Sequence, residues 1–246
     1  MLEGKTAFIT GTNRGIGKAL VTEFARNGAD VVAHARRDTP DFREWCAALA
    51  SEHGVTVTPV FFDLTDSEAM KTALRSLISS KVPVDILVNN AGVAHGCLFQ
   101  MTGMARIREI FDINLFAMME LTQFLLRYML RRGQGSIINL GSVLGLDMPA
   151  GSCAYGLSKA AVMAFTRTLA SECGPLGVRV NAVAPGLVAT EMADQMERKA
   201  EESMMAQCAM KRRALPEEVA RTVVFLASEE ASFINGQILR IDGGKV

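Results

Sequence analysis

The chain has 246 residues, a length that suits one large α/β domain. Hydrophobic residues make up 49% and charged residues 21%, enough to build a packed core and to exclude a disordered chain. Lys and Arg together number 26, as do Asp and Glu, so the formal net charge is zero; with no basic stripe, nucleic acid is excluded as the main partner.

In chain order, the first element is a short buried strand at residues 5–10 (KTAFIT). Gly11, Gly15 and Gly17 follow it in TGTNRGIG, and then an apolar-periodic helix begins. A strand, a glycine-rich turn and a helix N-terminus together suit a phosphate, because the glycines admit close backbone approach and the helix end offers unpaired N–H groups. A second strand covers residues 30–36 (DVVAHAR). At its carboxyl end a carboxylate would take the adenosine ribose in an NAD enzyme, but this chain has Ala35, then Arg36 and Arg37. With Arg14 in the glycine turn, these arginines favour a phosphate dianion, so NADP(H) is expected over NAD(H).

A helix within residues 39–54 carries Trp45, read as core packing. A third strand at 57–62 leads to Asp63, free to meet a ligand, and to Asp66 or Ser67 as the cap of the next helix. A fourth strand at 85–88 ends in Asn89-Asn90-Ala91-Gly92. Residues 105–132 then read as one long helix, with Asn114 at a mid-helix position that asparagine disfavours, a mark of strain or function. Its face Phe116, Met119, Phe124, Met129 suits core or subunit contact.

A fifth strand at 135–140 delivers Ser142 to a carboxyl end, where open α/β sheets place ligands. The helix at 154–176 carries Tyr155 and Lys159 four residues apart, on one face. A nearby ammonium favours a phenolate, so the pair suits acid/base chemistry at a C–O centre. A sixth strand at 178–184 precedes Pro185 and Gly186. Residues 187–215 hold five methionines and the charges Glu197, Arg198, Lys199, Glu201 and Glu202; this long connection is read as a mobile substrate lid, with Cys153 lining the same pocket. A helix at 216–228 and a seventh strand at 237–241 close the chain. Strands alternating with helices throughout imply an α/β, mostly parallel sheet with helices on both faces, in a single domain spanning 1–246.

No stretch approaches the ~18 uninterrupted apolar residues that cross a bilayer, and the opening MLEGKTAFITG does not read as a signal peptide. Cys46, Cys97, Cys153, Cys173 and Cys208 lack Cys-x-x-Cys spacing and are read as reduced thiols of a cytoplasmic protein; His34, His53 and His95 form no metal-ligand pattern.

The motifs Thr10-Gly11-x-x-x-Gly15-x-Gly17, Asp63, Asn89-Asn90-Ala91-Gly92, Asn114, Ser142, Tyr155-x-x-x-Lys159, Asn181, Pro185-Gly186 and Thr190 occur in this order from end to end. The chain thereby resembles the short-chain dehydrogenase/reductase family. The resemblance implies a seven-stranded, single-domain Rossmann fold and hydride transfer between NAD(P)H and a carbonyl or alcohol. It implies that Tyr155 donates a proton, Ser142 positions the carbonyl oxygen, Lys159 lowers the tyrosine pKa and binds the nicotinamide ribose, and Asn114 holds a relay water. Gly11, Arg14, Gly15, Ile16 and Gly17 would line the pyrophosphate and ribose, Asp63 the adenine, Asn90 the adjoining ribose, and Pro185, Gly186 and Thr190 the nicotinamide side. Within the family the chain looks most like 3-oxoacyl-acyl-carrier-protein reductases, which implies a 3-oxoacyl thioester substrate, acyl carrier protein as a partner, and a homotetramer built on the two long helices. Those reductases recruit their carrier through two arginine positions; Arg131 and Arg132 lie near the first, and Leu176 and Gly177 stand at the second. The alternatives are a sugar, polyol or other secondary-alcohol dehydrogenase and, in another class, an inactive nucleotide-sensing regulator.

Overall fold

A computed structural model describes residues 1–194, 196 and 198–245; Gln195, Glu197 and Val246 lie outside the described residues. Seven parallel strands form one sheet in the order β3-β2-β1-β4-β5-β6-β7. They are β1 (Thr6–Ile9), β2 (Asp30–Ala35), β3 (Val57–Phe61), β4 (Ile86–Asn89), β5 (Gly135–Leu140), β6 (Val178–Pro185) and β7 (Ile238–Ile241). Every crossover from β1 to β6 carries a helix, as parallel pairing requires. Because both faces are covered, the central strands are near-continuous apolar runs, and every residue of β1 and β4 is buried.

The strand order reverses between β1 and β4, which are neighbours although β2 and β3 intervene in sequence. Such a switch point opens a crevice at the carboxyl ends of the strands. One core lies on the side of α1 (Gly15–Arg26), α2 (Pro40–His53) and α10 (Pro216–Ala227), around Leu20, Phe24, Val88, Val219 and Val223. The other lies under α3 (Ser67–Ser79), α5 (Ala117–Arg132) and α7 (Cys153–Cys173), around Phe8, Met70, Leu121, Leu125 and Ile137. Trp45 packs between α1 and α2, its ring 5.5 Å from Phe42 and under the Lys18 ammonium at 5.2 Å. Asp66 caps α3 by accepting from the Ala69 N–H at 3.0 Å.

The long helix expected at 105–132 is in fact three pieces. α4 (Met104–Phe111) passes through a π-helical turn, Asp112–Phe116, into α5. Asn114 lies inside that turn, where the widened ladder lets its side chain leave the helix path. The proposed apolar face also divides: Met129 is fully buried and Phe124 half-buried, whereas Phe116 and Met119 face outward. α6 (Leu144–Asp147) is a single turn after β5. Segment 187–215 holds α8 (Glu191–Asp194) and α9 (Arg198–Ala206), and no residue of α9 is buried. Its two ends are joined where Val188 and Ala214 form a parallel bridge. Among the described residues no helix is long and apolar enough to cross a membrane.

Candidate active site

The carboxyl ends of β1, β4, β5 and β6 meet at one place, and the residues singled out in the sequence gather there. The glycine turn after β1 is tight. A Cβ on Gly17 would stand 1.9 Å from the Gly11 carbonyl oxygen, so only glycine allows the helix to start against the strand end. Gly11 (φ +69) and Gly15 (φ +52) are left-handed, a conformation that costs other residues energy. No side chain caps the N-terminus of α1, whose first N–H groups therefore face the crevice. Ile16 is half-buried behind the turn, and a Cβ on Gly15 would touch Thr190 Cγ2 at 3.2 Å, which brings Thr190 over the same turn.

Asn90 braces this turn. Its amide donates to the carbonyls of Thr10 (2.8 Å) and Gly11 (3.0 Å), which uses both amide protons and leaves Oδ1 as its ligand-facing atom. The Thr10 hydroxyl oxygen accepts from the N–H groups of Asn90 and Ala91, both at 3.0 Å. His34, which belongs to no metal-ligand pattern, is a structural member of the site. Its Nδ1 accepts from the Gly11 N–H at 3.4 Å and its Nε2–H donates to the Phe62 carbonyl at 2.9 Å, which fixes the neutral tautomer. Burial lowers its pKa to about 4, so the ring stays uncharged through the neutral range. Spacing alone carried no sign of this role, because both partners are backbone groups just beyond the ends of β1 and β3.

Arg36 stands exposed just beyond β2, without an ion pair among the described residues. Asp63, exposed as well, accepts from the Thr65 N–H at 2.9 Å and hydroxyl at 2.7 Å. Those bonds hold its carboxyl below the ordinary range, and Arg36 and His34 add to the effect. Arg14 is not free toward a phosphate: it pairs with Glu191 of α8 at 2.7 Å, across the cleft.

The second half of the site surrounds Tyr155 and Lys159 on the first turns of α7. Lys159 Nζ lies 5.9 Å from the Tyr155 ring centre, and the two share a face as expected. Lys159 is buried and donates to the Leu140 carbonyl at 2.7 Å. Burial lowers its pKa to about 8. Burial raises that of Tyr155, and the hydrogen bond with Ser142 pulls it back down. The Lys159 ammonium is turned onto a backbone carbonyl while it stands over the tyrosine ring. The Leu144 N–H donates to Ser142 Oγ at 3.2 Å, which leaves the serine's own proton available to donate.

Asn114 joins the two halves. Its Oδ1 accepts from the Val93 N–H (2.8 Å) and its amide donates to the Val93 carbonyl and to Ser158 Oγ, both at 3.0 Å. A Cβ on Gly92 would stand 3.0 Å from Asn114 Oδ1 and 3.4 Å from Lys159 Nζ, so both polar ends lie against the bare Cα of that glycine. The Pro185 carbonyl accepts from the Val143 N–H at 3.1 Å, and the Gly186 N–H donates to Ile241 at 2.9 Å, which fix the far wall. Cys153 opens α7, half-buried. His95, on the loop between Val93 and Cys97, has a buried Nε2 with no hydrogen-bond partner among the described residues. The same described residues contain no cluster that would hold a metal ion.

A tyrosine, a serine and a lysine at the carboxyl end of a parallel sheet, beside a glycine turn at the switch point, match one family's pattern. The family model described as enoyl-(acyl carrier protein) reductase covers residues 11–245. The chain belongs to the short-chain dehydrogenase/reductase family. It is 35% identical to the 3-oxoacyl-acyl-carrier-protein reductase of Thermotoga maritima over 100% of this chain and 99% of that one. Among solved structures it is similar to a putative NAD(P)-dependent gluconate 5-dehydrogenase from Beutenbergia cavernae with bound NADP, at TM-score 0.91 and 36% identity, covering 98% and 96% of the two chains. It is also similar to the L-sorbose reductase of Gluconobacter frateurii complexed with NADPH and L-sorbose, at TM-score 0.89 and 32% identity over 99% and 97%. The chain is thus an oxidoreductase of a family that uses NAD(P).

Proposed function

We propose that the protein is an NADP(H)-dependent reductase of ketones, with a 3-oxoacyl thioester as substrate. The observation that carries this reading is the assembly of Tyr155, Ser142, Lys159 and Asn114 around one point beside the glycine turn. The turn fits a dinucleotide: Gly17 lets α1 start hard against the strand end, and that helix end carries no side-chain cap. Gly11, Gly15, Ile16, Gly17 and Thr190 would hold its pyrophosphate side, Asp63 and Asn90 its adenosine side, and Arg36 its phosphate. When bound, the nicotinamide supplies a hydride. Ser142 holds the ketone oxygen, and Tyr155 donates the proton that this oxygen requires as it becomes a hydroxyl. Lys159 orients the nicotinamide ribose and restores the tyrosine proton, with Asn114 holding a water at its Nζ. With all four groups in place, the regulatory alternative loses its main support.

The substrate class rests on the mouth of the crevice. The loops leaving β4, β5 and β6 carry Leu98, Phe99 and Met101, then Met148, then Met192, all large, apolar and exposed. Such a rim suits a hydrocarbon chain. We assign segment 187–215 as the lid over it; slowed amide exchange there on adding NADP⁺ and a substrate analogue supports that role, and unchanged exchange removes it.

A second reading, a sugar or polyol dehydrogenase, is favoured by the positions read as carrier-protein contacts. Arg132 is spent on the Val84 carbonyl and the Asp85 carboxylate, Arg131 lies over the Tyr128 ring, and Leu176 is exposed. An acidic carrier protein therefore meets few free arginines there. A substrate panel with NADPH consumption followed at 340 nm decides between the readings. Turnover of 3-oxoacyl thioesters well above that of ketoses supports the first; the reverse order supports the second.

A further inference from the structure

We propose that Arg14 and Glu191 form a strap between the glycine turn and the lid, and that this strap slows release of the bound dinucleotide. The inference rests on the reading of the turn as a dinucleotide site given above. Arg14 Nη1 donates to Glu191 Oε2 at 2.7 Å. Each partner is the chain neighbour of a residue assigned to the pyrophosphate side: Arg14 precedes Gly15, and Glu191 follows Thr190. Those two neighbours also meet, since a Cβ on Gly15 would stand 3.2 Å from Thr190 Cγ2. Gly15, Thr190 and Glu191 line one cleft between α1 and the lid. The turn and the root of the lid are therefore in contact at Gly15 and Thr190 and are tied together one residue further out.

A pull on this pair reaches the whole lid. Arg213 joins the two lid helices: its Nη1 donates to Asp194 of α8 at 2.6 Å, and its Nε and Nη2 donate to Glu201 of α9 at 2.9 Å and 2.7 Å. The next residue, Ala214, closes the root. Its N–H donates to the Leu187 carbonyl and its carbonyl accepts from the Ala189 N–H, both at 2.9 Å. Apolar burial gives this piece little hold on the body of the protein. Among the described residues Ala193 is buried in α8 and none is buried in α9. Polar contacts must supply the rest. At the far end the N–H groups of Ala209 and Met210 donate to the Gly244 and Gly243 carbonyls, at 2.8 Å and 3.1 Å. On the turn side the lid is held by the Thr190 methyl and by the Arg14–Glu191 pair.

The charges give the strap a distinctive sign. A carboxylate that merely stood beside the turn would repel an anionic cofactor, so deleting it would slow release. A carboxylate that straps the lid down holds the cofactor in, so deleting it speeds release. The two side chains are 60% and 63% exposed, which limits the pair to an effect of a few-fold.

Dissociation of NADPH, followed by stopped-flow fluorescence on chasing with excess NADP⁺, reads the strap directly. In Glu191→Gln the rate should rise about two- to fivefold at low salt, the scale of an exposed ion pair. In an Arg14→Gln background the same change should leave the rate where it is, because the partner is already gone. The gap between wild type and Glu191→Gln should close in about 1 M KCl, where charges are screened beyond about 3 Å. Both substitutions alter exposed side chains and leave the fold in place. An unchanged or slower rate in Glu191→Gln overturns the proposal, the slower one showing that Glu191 only repels the cofactor. An equal rise in the Arg14→Gln background overturns it as well, since the effect then does not come from the pair. If the wild type binds neither NADPH nor NADH, the reading of the turn as a dinucleotide site has failed instead, and the two failures are thereby told apart.

Discussion

Replacing Asn114 by alanine tests the joint between the two halves of the site. The change removes the bonds to the Val93 N–H, the Val93 carbonyl and Ser158 Oγ. Ser158 keeps the Tyr155 carbonyl as an acceptor at 2.7 Å, so it loses little. Val93 loses both of its partners. An unsatisfied buried group costs about 1–3 kcal/mol, and Val93 is only half-buried, so the pair costs about 2–4 kcal/mol. Alanine returns about 0.5 kcal/mol of helix preference. The net loss, about 1.5–3.5 kcal/mol, lowers Tm by about 3–14 °C for a domain of this size. Thermal melting by circular dichroism reads it, with Ser158→Ala expected to fall less. Because Asn114 stands against Gly92 beside Lys159, kcat should drop as well, while NADPH still binds. A Tm within 1 °C of the wild type would refute the bond accounting.

Three further outcomes are expected. Wild type should prefer NADPH over NADH by about ten- to a hundredfold, the worth of one charge-assisted phosphate contact, and Arg36→Asp should narrow or reverse the ratio of kcat/KM values; equal efficiency in the wild type removes Arg36 from that role. Lys159, with a pKa lowered to about 8, is half-protonated at that pH, and its ammonium is the form that binds ribose; cofactor binding should therefore take up to about 0.5 proton at pH 8 and less at pH 6, measured by titration calorimetry in buffers of different ionisation enthalpy. No uptake at pH 8 would contradict this. Phe116 and Met119 on the π-turn and α5, with Leu157 on α7, form an outward apolar face that suits a homotetramer; light scattering should give about four times 26.5 kDa, and Phe116→Glu should reduce it, whereas a monomer in the wild type rejects the assembly.

The seven strands and the placing of Tyr155, Ser142 and the glycine turn were legible because each rests on local pattern. Apolar runs mark buried strands, and glycines mark the place where a Cβ would strike backbone. The π-turn was legible only as a discord, an asparagine where helices avoid it, since the partners that draw Asn114 out of line belong to Val93 and Ser158, 21 and 44 residues away. His34, the Asp147–Arg240 ion pair and the Arg14–Glu191 pair were not legible. Their partners lie in other elements, brought near by the sheet, and no spacing within the chain records the meeting. The same holds for Lys159, whose turn toward the Leu140 carbonyl depends on where β5 ends against α7.

The account's central claim is that the Tyr155 hydroxyl delivers the proton in ketone reduction. Tyr155→Phe deletes that oxygen and little else. NADPH affinity, read by fluorescence titration, should stay within about threefold of the wild type, while single-turnover reduction of the best ketone should fall at least a hundredfold, on the scale of a lost general acid. Retention of more than a tenth of wild-type turnover, with cofactor bound, would contradict the claim.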